Sequence, residues 1–201
     1  MSAVMRAAVL HEPHDLRIEE VPQPICGPQD LKIKVIYNGL CGTDATEYTK
    51  GPMMVPLHTP HPGSGHVGPT ILGHEFIGLV VEAGDQVQGM LGKRVASGAG
   101  VSCGDCTMCR AGRTNLCASY YTLGLSTDGG LAEFVVAPAN TCFEIPDNCS
   151  NENAGLAQPL AVAIHSVRRA HIKAGQNIAV IGVGAIGAFV LAALSNHDGE
   201  I

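Results

Sequence analysis

Apolar and polar residues alternate along 31–35, where Leu31, Ile33 and Val35 interleave with Lys32 and Lys34. A period of two marks a strand with one packed face and one wet face. Comparable runs at 6–10, 16–21, 76–81, 94–96, 132–136 and 142–145 are separated by Gly, Pro, Asn and Asp at irregular intervals, which predicts a β-rich barrel or sandwich. Two intervals, 50–70 and 97–123, are longer than connections in compact domains usually are, and loops of that length tend to carry function.

After Pro146 the pattern changes. Ser150 is placed to cap a helix with Glu152 in its first turn, and 154–170 reads as helical with a break at Pro159. Residues 177–181 form a short apolar run, 182–187 a glycine turn and 186–195 a second helical stretch, the first half of a βαβ unit. The expected division is therefore a β-rich domain over 1–150 and the start of an α/β domain over 151–201. Residues 178–194 carry no charge and are the one stretch that could pass for a membrane span, but three glycines interrupt them and their first half is β-branched. A buried strand and helix explain them better.

Composition narrows the partners. The chain has 201 residues, 46% apolar and 15% charged, which excludes disorder and collagen. Twelve Lys and Arg against 18 Asp and Glu give a formal charge of −6, and without any basic block the electrostatic footprint of a nucleic-acid or anionic-membrane binder is missing. A small molecule is the expected partner. No apolar core follows a basic start at the N-terminus, so an intracellular, cytoplasmic protein is expected, in which closely spaced cysteines more often hold metal than form disulfides.

Cys103, Cys106, Cys109 and Cys117 follow the spacing C-x2-C-x2-C-x7-C. Four thiolates on one loop can surround a tetrahedral zinc ion, so a closed structural site is the first reading. An iron–sulfur cluster is the rival, although the bacterial run has three residues before its fourth Cys and a Pro after it, where this chain has seven and Ala118. A thioredoxin-like redox pair lacks the surrounding βαβ unit, and unligated thiols are the bland alternative. Cys26, Cys142 and Cys149 read as small hydrophobes. His58, His61 and His66, in the long Pro/Gly loop, could form a third metal site, but histidines in such loops are usually just solvated.

Gly182, Gly184 and Gly187 make a G-x-G-x-x-G turn between an apolar run and a helix, the context in which that spacing binds a dinucleotide. Gly182 permits the tight turn, Gly184 lets backbone approach a pyrophosphate, and Gly187 lets helix and strand pack closely. The acid expected to grip the ribose about 20 residues further on would fall near position 202 or later.

His74 and Glu75 set an imidazole beside a carboxylate, and Cys41-Gly42-Thr43-Asp44 sets a thiolate beside a hydroxyl in what reads as a turn. The order Cys41-x-Thr43, Gly73-His74-Glu75-x-x-Gly78, the four-cysteine loop and the glycine turn resembles the zinc-containing medium-chain alcohol dehydrogenases. With Glu47-Tyr48 and Gln158-Pro159-Leu160-Ala161, the texture is similar to the polyol and 2,3-butanediol dehydrogenase branch. The resemblance implies a GroES-like catalytic domain followed by the start of a Rossmann domain, truncated relative to the family.

It further implies two zinc ions, one structural and one catalytic, with NAD(P) as cosubstrate and NAD favoured. Cys41 and His74 would be zinc ligands, Glu75 a ligand or near neighbour, and Thr43 the hydroxyl bonded to the oxygen of a small secondary alcohol, diol or ketone. A homo-oligomer is expected for a full-length form. Two departures weaken the pattern. Gln158, the further metal-site residue, stands where the family usually has Cys or Glu and brings only a neutral amide oxygen, so zinc loses an anionic ligand or near neighbour and its affinity should fall. Thr46 stands where the family often has a relay His. The alternative is a truncated, non-catalytic zinc-binding remnant. A zinc-free quinone reductase is disfavoured by the complete cysteine set.

Overall fold

The computed structural model describes residues 3–201, so the first two positions of the N-terminal stretch lie outside the described residues. The chain divides into two compact units, Met1–Gly155 and Leu156–Ile201.

In the first unit, β1 (Val4–Glu12) and β2 (Asp15–Pro22) form a hairpin, followed by β3 (Asp30–Gly39) and helix α1 (Gly42–Lys50). A long loop leads to β4 (Thr70–Ile71), β5 (Glu75–Ala83), β6 (Arg94–Ser97) and β7 (Gly100–Val101). The short helix α2 (Thr107–Arg110), β8 (Tyr121–Thr122), β9 (Phe134–Pro138), β10 (Cys142–Glu144) and the helical turn α3 (Asn151–Ala154) complete it. The strands make a three-stranded sheet ordered β2-β1-β4, a five-stranded sheet ordered β10-β6-β5-β3-β9 and a small β7-β8 pair, every pairing antiparallel.

The alternation at 31–35 has the predicted consequence. Leu31 and Ile33 are fully buried with Phe76, Val80, Val95, Val135 and Ala137, while Lys34 stays exposed. The strands expected in the first unit all form, with small shifts in bounds. Ala132 makes an isolated bridge to Ala7 ahead of β9, and Ile145 leaves the ladder after β10 to donate its N–H to Arg94 O.

Two elements of the first unit differ from the sequence expectation. Residues 42–50 are a helix rather than a turn. Their composition, TDATEYTK after Gly42, has no apolar stripe, because the residues the helix buries are the acids Asp44 and Glu47. Ser150 does cap a helix, accepting from Asn153 N–H at 3.2 Å, but that helix is only the turn α3.

In the second unit, α4 (Ala157–Arg169) begins two residues before Pro159, so the proline sits in the first turn, where its missing N–H has no intrahelical partner to lose. The interruption falls at Gly155 and Leu156 instead. Helix α5 (Ala185–Ala193) follows the glycine turn. The strand expected at 177–181 is not formed. Ile178 N–H donates to Glu200 O, yet no parallel neighbour exists among the described residues, and Ile181 is 98% exposed. A strand is defined by its ladder, and an apolar run without one stays irregular. No helix among the described residues is long and apolar enough to cross a membrane.

Candidate functional site

Cys41, His74 and Glu75 each offer a ligand atom within 4.8 Å of the others. Cys41 is the cap of α1, in extended geometry, and Asp44 folds back so that its Oδ2 accepts Cys41 N–H at 2.9 Å. The same carboxylate presents Oδ1 to His74 Nδ1 at 3.5 Å, which leaves Nε2 as the other ring nitrogen. Thr43 Oγ1 lies 3.6 Å from Cys41 Sγ.

Glycines allow this convergence. Glu75 pairs with Gly39 in the β3–β5 ladder, and a side chain at 39 would run into the Glu75 carboxylate. Gly73, with φ +98°, delivers His74, and a Cβ there would come within 2.7 Å of Asn38 Oδ1 and Leu131 N. Gly124 and Gly129 in turn press on the Gly73 backbone.

The electrostatics point to a cation. Asp44, His74 and Glu75 are all buried, two acids to one base. Asp44 Oδ1 and His74 Nδ1 are buried and, apart from facing each other at 3.5 Å, have no hydrogen-bond partner, so Nε2 is the ring nitrogen left for a ligand. Burial pushes the His74 pKa down, but the Asp44 carboxylate and then Cys41 outweigh it and raise the pKa to about 9. Thiolate, imidazole and carboxylate together suit zinc, which prefers just such a mixed set and keeps a position open when only three protein groups bind it.

The four cysteines form the second cluster, their sulfurs also within 4.8 Å of one another. Cys103 and Cys109 sulfurs are 3.9 Å apart, close to the edge of about 3.8 Å expected of a tetrahedron with bonds near 2.3 Å. Backbone N–H groups aim at the sulfurs: Cys106 N–H at Cys103, and both Cys103 and Ser119 N–H at Cys117, each at 3.3 Å. The N–H of Cys109, first among several, holds the Cys106 thiol down at about 6, while burial pushes Cys109 up to about 11. All eight cysteines are free thiols.

The remaining predicted residues lie in the second unit. Gly182 takes φ +94°, and a Cβ at Gly187 would collide with Gly182 O, so both need glycine. Gly184 caps α5, and nothing lies within 4 Å of where its Cβ would be, leaving the backbone open to approach. Gln158 is in the first turn of α4.

Sequence reasoning passed over Asp44 and Glu47 as functional residues. The signal was present in Cys41-x-x-Asp44, a capping-box spacing in which the acid answers the cap. The histidines at 61 and 66 are also more than solvated. His61 Nδ1 accepts Gly63 N–H at 3.1 Å, and His66 Nε2 meets the buried Thr70 hydroxyl at 2.9 Å. They brace the loop, and no metal-type cluster among the described residues includes them.

This pairing of fold and clusters is that of a GroES-like dehydrogenase domain. Residues 27–147 match the family described as the alcohol dehydrogenase GroES-like domain, and the chain belongs to it. It is 40% identical to (R,R)-butanediol dehydrogenase of Bacillus subtilis (strain 168), over 94% of this chain and 54% of that protein. The crystal structure of 2R,3R-butanediol dehydrogenase from Bacillus subtilis superposes with a TM-score of 0.88 at 37% identity, over 98% of this chain and 56% of that one. Sorbitol dehydrogenase of Bacillus subtilis (strain 168) is 36% identical over 94% and 52% of the two chains. A putative zinc-binding dehydrogenase from Sinorhizobium meliloti 1021, bound to NADP, gives a TM-score of 0.82 at 36% identity, over 99% and 55%. The chain spans about half the length of the relatives it matches.

Proposed function

We propose that this chain is the catalytic-domain portion of a cytoplasmic zinc-dependent oxidoreductase that moves hydride between a small secondary alcohol or diol and NAD(P), NAD in preference. The observation that carries the reading is the convergence of Cys41, His74 and Glu75 within 4.8 Å, with the Thr43 hydroxyl beside them. Butanediol and sorbitol dehydrogenases among the relatives support the substrate class.

Cys41, His74 and Glu75 would hold the catalytic zinc, and Cys103, Cys106, Cys109 and Cys117 the structural one. Zinc supplies the Lewis acidity that eases loss of a hydroxyl proton, and the nicotinamide supplies the hydride acceptor. The rest falls to the protein. Asp44 fixes the His74 ring through Nδ1. Thr43 Oγ1, 3.6 Å from Cys41 Sγ, would accept a hydrogen bond from an alcohol hydroxyl there. Thr46 cannot stand in for a titrating relay, because a hydroxyl does not ionise near neutral pH as an imidazole does, and this one donates to Gly42 O at 2.9 Å. Protons must leave by another route. The backbone of Gly182 and Gly184, at the start of α5, would receive the pyrophosphate.

NADH formation from NAD+ and 2,3-butanediol by the zinc-loaded full-length protein tests the proposal. Thr43→Ala should keep its zinc and lose turnover by on the order of a hundredfold. Unchanged turnover in Thr43→Ala, or none with any small secondary alcohol or polyol, would overturn it.

A further inference from the structure

A buried carboxylate that belongs to neither cluster lies one turn along α1 from Thr43. Glu47 is 1% exposed and takes part in none of the ion pairs among the described residues. Its partners are backbone amides. Oε1 accepts Met54 N–H at 2.8 Å, and Oε2 accepts Met53 N–H at 3.0 Å and Val55 N–H at 3.4 Å. Gly51 makes room for this fold-back, since a Cβ there would sit 2.9 Å from Glu47 Oε2.

The clamped segment leads to the site. Val55, the last residue of the clamp, and Leu57, two residues beyond it, are buried in one cluster with Leu10 and Leu72. Leu72 directly precedes Gly73 and His74. Glu47 therefore joins two bodies. One is α1, which carries Cys41 at its cap, Thr43 in its first turn and Asp44 behind His74. The other is the 53–57 segment packed on the residue that leads into His74. Besides the clamp, α1 is tied by His14 N–H to Tyr48 O at 2.7 Å and by the His14–Tyr48 ring contact, but its buried side chains are both acids and it has little apolar surface to hold its capped end in place.

We propose that Glu47 is a positioning residue, its carboxylate pinning the amides of Met53, Met54 and Val55 to α1 and so fixing Cys41 and Thr43 against His74 and Glu75. The inference rests on the reading of Cys41, His74 and Glu75 as a metal centre. A carboxylate is needed because all three partners are donors. Glu47→Gln keeps the shape but turns one of the two oxygens into a further donor facing N–H groups.

Cobalt(II) alone, titrated into the full chain and followed by visible absorption and amide hydrogen exchange, tests this without any turnover. In the unaltered chain two equivalents should bind, with Met53, Met54 and Val55 amides protected. Glu47→Gln should bind the four-cysteine equivalent as before, lose protection at 53–55 and bind the second equivalent on the order of tenfold more weakly. Leu57→Ala cuts the same link at its far end. It should weaken the second equivalent likewise, and the double variant should lose less than the sum. Should Glu47→Gln fail to fold, Leu57→Ala alone makes the comparison. An unaltered second equivalent in a folded Glu47→Gln or Leu57→Ala chain, or retained protection at 53–55 in Glu47→Gln, would overturn the inference. One equivalent in the unaltered chain would overturn the reading of the centre, and the inference with it.

Discussion

One proton decides how the His74 ring meets a cation. With a pKa raised from 6.5 to about 9, protonated His74 stabilises the metal-free fold fully below pH 6.5, and that contribution is lost as pH rises through 9. A metal must displace the same proton, so affinity at Cys41, His74 and Glu75 should already be rising with pH at 6.5 and go on rising to about 9. Zinc calorimetry in buffers of different ionisation enthalpy reads the proton directly, and a pH-independent affinity across that window would count against the assignment. Asp44→Asn removes the anion behind the ring, so the His74 pKa should fall and zinc affinity drop by roughly 10–100-fold. Gly73→Ala is the steric counterpart. Forcing a Cβ at φ +98° against Asn38 and Leu131 should cost about 2–4 kcal/mol, read as a lowered unfolding midpoint. Ligand residues were legible in the sequence because Cys and His at particular spacings have few other uses. Asp44 and Glu47 were not, since an acid on a polar stretch looks solvated until the fold buries it.

At the level of elements, the strands were read well because a one-sided sheet writes its period of two into the chain, as at Leu31, Ile33 and Val35. Helix α1 was missed because its buried face is charged. The strand at 177–181 was expected from apolar content alone, which says that a segment could sit in a sheet but not that a neighbour is there to pair with. Amides of 177 and 179–183 should accordingly exchange far faster than those of β3 and β5 in the same chain. Comparable protection would mean that a ladder forms in solution. The cysteine loop, with only α2 and scattered turns to hold it, depends on its sulfurs. Cys106→Ser should release the metal of that loop and lower the unfolding midpoint, because ligation there is coupled to folding. Unchanged melting at full metal content would contradict that coupling.

Across the whole molecule, the first unit carries both metal-type clusters and a core large enough to shape them, while the second carries the glycine turn on a helix with no fully buried residue of its own. The division of labour is chemical. The proposed metal centre in the first unit would take a cation, and the open backbone at Gly184 in the second would take an anion. The central claim is that two separate metal centres of different character occupy the first unit. Zinc bound per chain after dialysis against a weak chelator, for the unaltered protein, Cys41→Ser and Cys106→Ser, tests it most directly. Two ions in the unaltered chain and one in each variant, a different one each time, is the expected result; a single ion in the unaltered chain, or two retained in Cys41→Ser, would contradict it.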